Sequence, residues 1–439
     1  MEKEEGVMYE LSNKLPKECS DIVREFVKTI CKNELRRSRR VSKNHLPALK
    51  SAISCFIRNY LLSNKKRMVV PLDQAIYSKP VIVNGSLSTM KISYTFTRKF
   101  IEYLVDEDYI TLEKGGCIFS QEAVPQNIFA LNTNENKVVV KGTFPSYVFF
   151  TDKFNKLFPS EKLSRVVRDN VIIVRDKDGF PVTFKLSAES IKSRDVIKEY
   201  NRFSLTKRVV FDGEEYDVQC YRLFNLKQKF GGRLYMGGSV QSLTSEQRSR
   251  ITIEGRKTAR FDYVGFEPSI LYSMAGEILK DDPYELQDDR YKDYDRSFLR
   301  SFCKRVMLVM LNSKDSDQVP YYLNSYVRDE LDVDRLHSEG KIPTNRIPVL
   351  QIIQDLENKH LKIADKFYKS CWKEVQYIGS TIMQGVAEYL MQRHECLVLQ
   401  VFDECIVEEE YAQELYEAMH VIYNEVTGFT GNCHVVREN

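Results

Sequence analysis

Several features that would narrow the class of this chain at once are missing from its sequence. The ten cysteines are scattered from Cys19 to Cys433, with no Cys-x-x-Cys pair and no Cys/His cluster at zinc spacing. That excludes a zinc-finger scaffold and reads as reduced, buried thiols in an intracellular protein. No apolar run reaches membrane-spanning length. The N-terminal Met-Glu-Lys-Glu-Glu is the opposite of a signal peptide, so a soluble cytoplasmic protein without a membrane partner is expected. Internal repeats and low-complexity segments are absent, and the formal charge is only +3. What remains is the composition of an ordinary globular protein. At 439 residues the chain is too long for one compact core, and two or three domains are expected.

Charge is uneven along the chain. Between Lys32 and Arg67 stand Lys32, Arg36, Arg37, Arg39, Arg40, Lys43, Lys50, Arg58, Lys65, Lys66 and Arg67 against one acid, Glu34. This local excess fits phosphate binding; a solvated helix face is the alternative. Helical periodicity runs over residues 20–31, from Leu46 to Leu62, and from about Phe96 to Asp106. A hairpin is expected around Gly115-Gly116. Helices followed by a small hairpin suggest a winged-helix-like module that sets Arg36, Arg37, Arg39 and Arg40 on nucleic acid, or else a purely structural helical domain. Residues 137–185 read as strands, and Ala188 to Asn201 as a helix.

Candidate chemistry is concentrated later in the chain. Arg260-Phe-Asp-Tyr-Val-Gly-Phe-Glu-Pro-Ser-Ile sets Asp262 after a short apolar strand, and Glu267 at the mouth of an apolar helical run. An ionised Asp at the end of a buried strand needs a compensating metal ion, Arg or Lys; a helix-end acid favoured by the helix dipole is the alternative. In the run from Asp295 to Asn312, a helix stacks Arg296, Arg300 and Lys304 on one stripe, with Phe298, Phe302, Val306, Met307 and Met310 toward a core. Such a stripe suits a triphosphate, or is spare surface charge. Leu397 to Glu408 reads as an apolar hairpin with Asp403 and Glu404 at its tip, where adjacent carboxylates favour a cation. Gly232-Arg233-Leu234 precedes these stretches, and Met383-Gln384-Gly385 lies on a further helix.

In this order the motifs resemble the polymerase region of family A DNA polymerases, over about Gly231 to the C-terminus. The resemblance implies an α+β, right-hand polymerase: an antiparallel palm sheet with helical fingers and thumb, joined to the N-terminal helical, winged-helix-like module. It divides the chain into a basic nucleic-acid or partner-binding module (1–125), a β-rich connector and thumb-like region (126–225), and palm and fingers (226–439). It implies Asp262 and Asp403 as ligands of two Mg²⁺ ions, replaceable by Mn²⁺, with the Tyr263 backbone assisting and Glu404 as an additional candidate. Arg300 and Lys304 become triphosphate contacts, with Lys304 a proton donor to pyrophosphate. Glu267 becomes the gate that crowds a ribose 2′-OH, while Arg233 and Gln384 become contacts to the primer-template.

Departures from the family pattern bear on the pocket. Leu308 and Asn312 stand where aromatics that shape the nascent base pair are expected. Phe402 replaces a His, and Gln376 and Ser380 replace an Arg and an Asn. The family B pattern is matched at Phe266-Glu-Pro-Ser-Ile, but its Asp-Thr-Asp motif is absent. The implied function is a compact DNA polymerase adding dNTPs to a primer on primer-template DNA, without a proofreading exonuclease, of a mobile-element or phage type. Two alternatives stand beside it. One is a primase-polymerase that starts chains on single-stranded DNA with a small accessory protein; the other is a catalytically dead palm that binds nucleic acid.

Overall fold

In the computed structural model the described residues are 14–36, 45–63, 67–78, 81–88, 91–119, 140–144, 146–159, 166–176, 181–225, 227–228, 230–237 and 240–438. They form a mixed α+β chain with antiparallel sheets and many helices. The chain divides into two units. The first comprises Met1–Ile173, Val182–Tyr221 and Met236–Gly255; the second comprises Val174–Pro181, Arg222–Tyr235 and Arg256–Asn439.

In the first unit the helices Ser20–Arg36, Leu46–Leu62 and Tyr94–Asp106 form where apolar periodicity predicts them. Their apolar stripes close on an aromatic core of Phe26, Phe56, Tyr60, Phe100, Phe154 and Phe158. Phe26 and Phe56 each meet Phe100 edge-on, at centroid distances of 5.2 and 5.3 Å, an arrangement that aromatic quadrupoles favour. Ser93 caps the third helix by accepting from Phe96 N. The expected hairpin around Gly115-Gly116 is corrected by the strand pairing. Ile110–Glu113 pairs instead with Ser146–Phe150, and Gly116–Phe119 with Val140–Phe144. The cause is packing. Leu112 sits opposite the fully buried Val148, and Gly115 N donates to Ser146 Oγ at 2.9 Å, so the later strands outcompete local closure. Of the basic residues expected on nucleic acid, Arg36 ends the first helix, and its side chain lies outside the description. Arg37, Arg39 and Arg40 lie outside the described residues.

The second unit is organised on four antiparallel strands. Arg256–Tyr263 lies between Val435–Glu438 and Glu404–Glu408, and the latter pairs with Leu399–Val401. Ala259, Phe261 and Tyr263, two apart along the strand, are buried on one face, and Arg260 is buried on the other. The helices Trp372–His394 and Ala412–Thr427 pack together, and Phe266–Ala275 packs on both. A further group, Arg296–Asn312, Gln318–Asp329 and Val349–Lys359, packs pairwise.

Candidate active site

The strand Arg256–Tyr263 carries alternating chemistry at its end. Asp262 lies directly opposite Glu404 on one neighbour and Val436 on the other. Residues opposite each other share a face, as do i and i+2, so Arg260, Asp262 and Glu404 project to one side. There Arg260 Nε donates to Glu404 Oε1 at 2.5 Å, both side chains being almost fully buried. Glu404 therefore has its counter-charge inside the sheet. It is also not at the hairpin tip. The turn is Phe402-Asp403, and Glu404 opens the return strand opposite Val401. Phe402 adopts φ 60°, a left-handed conformation that costs a non-glycine residue about 1–2 kcal/mol. Asp403 is set beside the end of the neighbouring strand, where Tyr263 N donates to its carbonyl at 3.3 Å. The Tyr263 hydroxyl is used elsewhere, donating to Met419 O at 2.8 Å.

Three partly buried carboxylates meet here. Burial is the main force raising Asp262, followed by the charges of Asp403, Glu404 and Glu438, and together they push it up to about 7 against the pull of Lys304. Asp403 is raised by burial, and a backbone hydrogen bond, Lys304 and Arg233 act against that rise. Glu267, in the first turn of Phe266–Ala275, is raised by burial and by Asp403, with Lys304 and Arg233 again opposing. The helix dipole favours a carboxylate at that turn, so Glu267 sits at a helix end as well as in the cluster; the helix-end alternative is for Asp262, which lies on the strand Arg256–Tyr263. Gly265 shapes the approach. It has φ +58°, and a Cβ there would come within 2.9 Å of Pro283 Cγ.

The cations arrive from two elements. Arg296–Asn312 begins at Asp295, which caps it by accepting from Phe298 N at 2.8 Å. Its buried face is Leu299, Phe302, Cys303, Val306, Met307 and Met310. Phe298, expected in the core, is only half-buried, because Leu299 and Cys303 complete the apolar stripe instead. Arg296 is almost fully exposed and 3.9 Å from Glu285. Arg300 Nε donates to Asp282 Oδ2 at 2.7 Å. The exposed Lys304 acts on all three carboxylates. Leu308, 40% exposed, borders a cavity of about 820 Å³ with Arg305, Asn312, Tyr322, Tyr326 and Trp372. The two positions that lack the expected aromatics thus line open space.

Arg233 comes from the strand Gly231–Met236. Gly232, at φ +76°, lies so close to Phe224 that a Cβ would stand 2.5 Å from its ring. The Arg233 guanidinium sits 5.0 Å from the Phe402 ring centroid. Its Nε and Nη2 each donate at 3.0 Å to the Gln376 oxygen when that amide is oriented to accept. Gln384, by contrast, is buried at 9% exposure. It accepts from Arg222 Nη1 at 3.3 Å, while Arg222 also donates to Gly232 O at 2.7 Å and Thr381 Oγ1 at 2.8 Å. Arg222 is a residue that sequence reasoning missed. The signal was a lone cation in the apolar run Cys220-Tyr-Arg-Leu-Phe224.

The structure thus brings together Asp262, Asp403, Glu267, Lys304 and Arg233. It gives Glu404 to Arg260, Arg300 to Asp282 and Gln384 to Arg222. The candidate ligands are two carboxylates, and no group of three or more His, Cys, Asp or Glu side chains suited to a metal occurs among the described residues. Magnesium fits that donor set, since it is commonly held by one or two carboxylates and keeps several waters.

No family model matches this sequence, and no curated protein matches it. Among solved structures it is similar to the POL domain of Pol1 from M. smegmatis in complex with DNA primer-template and dNTP, at a TM-score of 0.31 and 15% sequence identity. The match covers 57% of this chain and 50% of that one, so this chain spans half the length of the structure it matches. No helix among the described residues is long and apolar enough to cross a membrane.

Proposed function

We propose that the chain is a template-directed DNA polymerase that adds dNTPs to a primer 3′-OH, with the four-stranded sheet as its palm and the helices from Arg296 to Lys359 as its fingers. One observation carries this reading. Asp262 and Asp403 are held together, partly buried, with Lys304 as the cation that opposes the rise of both. Such a pair stores repulsion that a bound divalent cation relieves.

Asp262 and Asp403 would hold Mg²⁺. When bound, the metal supplies charge neutralisation at the α-phosphate and lowers the pKa of the attacking hydroxyl. The protein supplies the rest. Lys304 and Arg300 would bind the β- and γ-phosphates, steadying charge that builds on the leaving group, and Lys304 would give it a proton. Arg233, braced by Phe402 and Gln376, would meet the primer end. Glu267 would crowd a ribose 2′-OH. Gln384 would act from inside the protein, through Arg222 and the Gly232 carbonyl, rather than by touching DNA. The basic stretch near the N-terminus would add phosphate contacts of its own.

Primer extension with each nucleotide set, with and without primer, tests the reading. Mg²⁺-dependent extension by the native chain is expected, lost in Asp403→Asn with folding intact. Normal extension by that variant would sink the assignment, and products without primer would redirect it toward primase activity.

A further inference from the structure

A short loop, Asp282-Pro283-Tyr284, collects contacts from several elements of its unit. Its base is Pro283, packed where a Cβ on Gly265 would intrude. The Pro283 carbonyl bonds His360 Nε2 at 2.8 Å, and His360 Nδ1 bonds the Tyr272 hydroxyl at 3.1 Å. A backbone carbonyl only accepts, so Nε2 carries the proton and Nδ1 accepts from Tyr272. Burial lowers His360 to about 4, which keeps this strut neutral. Above the strut, Asp282 Oδ1 accepts from Tyr284 N at 2.8 Å, and its Oδ2 accepts from Arg300 Nε at 2.7 Å. The buried Tyr284 ring lies 5.4 Å from the Arg300 guanidinium and 5.9 Å from Lys304 Nζ.

We propose that this loop is a positioning element for a nucleoside triphosphate. Asp282 and the face of Tyr284 preset Arg300 and Lys304 to receive the phosphates, and the inference rests on the polymerase reading above. The Asp282 bond engages Nε, at the stem side of the guanidinium, and the Nη groups at the far end suit a phosphate. The ring beneath gives both cations a seat by cation–π attraction. A long side chain fixed in this way loses less entropy when its ligand arrives.

The sign of one substitution separates positioning from simple electrostatics. Asp282 is an anion beside an anion-binding stripe. Field alone predicts that Asp282→Asn binds a triphosphate more tightly; lost positioning predicts weaker binding. The experiment titrates dATP with Mg²⁺ onto the full chain holding a dideoxy-terminated primer-template, so that no chemistry follows. Single-nucleotide extension with an ordinary primer runs in parallel. Asp282→Asn is expected to weaken dATP about five- to tenfold, raising KM more than it lowers kcat and leaving DNA affinity unchanged. Tyr284→Leu is expected to do the same, and Tyr284→Phe, which keeps the ring face, to restore native affinity. Unchanged or tighter dATP binding by Asp282→Asn overturns the proposal. So does a fall in kcat at constant KM, the mark of a mere loss of active protein. Failure of the native chain itself to bind dATP overturns the polymerase reading and this inference with it.

Discussion

Two carboxylate arrangements stand one residue apart on the same hairpin and have opposite balance. Glu404 faces Arg260 at 2.5 Å, with both side chains nearly excluded from solvent. Asp403, its neighbour, shares its surroundings with Asp262, and among the described residues neither aspartate forms an ion pair. The first arrangement has its counter-charge within the protein. The second is short of positive charge, and Lys304 and Arg233 offset it only through their fields. Desolvation can exceed the Coulombic gain even of a matched buried pair. An unmatched pair is relieved by taking up a proton or by a cation from outside the chain; on the proposed reading a cation does so here, which makes Glu404 the structural charge and Asp403 the functional one.

Neutralising one member of each arrangement is the strongest way to test that contrast. Asp403→Asn is expected to abolish Mg²⁺-dependent extension by about a thousandfold or more. The melting temperature should stay level or rise, because like charge is removed. Arg260→Met should act in the other direction. It removes the cation that balances Glu404, so stability should fall by about 3–5 kcal/mol in denaturant melts, with activity lost only as the fold is lost. If Asp403→Asn proved the destabilised variant and Arg260→Met the stable, inactive one, the assignment of roles would be reversed.

Periodicity in the sequence made much of this legible. The helices Leu46–Leu62 and Arg296–Asn312 and the strand ending at Asp262 lie where apolar spacing sets them. The motif residues Asp262, Asp403, Glu267 and Lys304 do converge. What stayed hidden were partners remote in sequence. Arg260 meets Glu404 only because sheet register sets their strands side by side, and Gln384 turns inward only because Arg222 comes from a strand 162 residues away. Ile110–Glu113 likewise ignores its near neighbour for Ser146–Phe150, since burying Leu112 against Val148 outweighs the shorter loop. Local pattern sets what an element is, and the global core decides whom it touches.

A milder probe is pH. Asp262 is pushed up to about 7 in the fold, whereas an unfolded Asp titrates near 4. Between those values the native state holds the extra proton, so stability falls as pH rises from about 4 to 7 and levels off above. Mg²⁺ favours the ionised pair and should reverse the trend. The rise in melting temperature on adding Mg²⁺ is expected to be larger at pH 8 than at pH 5.5, and absent in Asp403→Asn. Arg260→Met should keep a Mg²⁺ response at whatever temperature it melts. A Mg²⁺ effect independent of pH, or one that survives Asp403→Asn, would move the cation elsewhere.

The smallest effect is expected at Glu267, which belongs to neither arrangement fully. Its charge is offset through space by Lys304 and Arg233, like that of the aspartates, yet a helix N-terminus also stabilises it. Glu267→Ala therefore disturbs the proposed metal-binding carboxylates little, and dNTP incorporation should fall by no more than about tenfold. Its signature lies in sugar choice. If the side chain crowds a 2′-OH, truncation should improve the ratio of rNTP to dNTP incorporation, again by about tenfold, the discrimination one lost contact supplies. The ceiling is low because Leu308 and Asn312 stand where aromatics that shape the nascent base pair are expected. Discrimination that is already weak and does not change in Glu267→Ala would assign this carboxylate to the helix end alone.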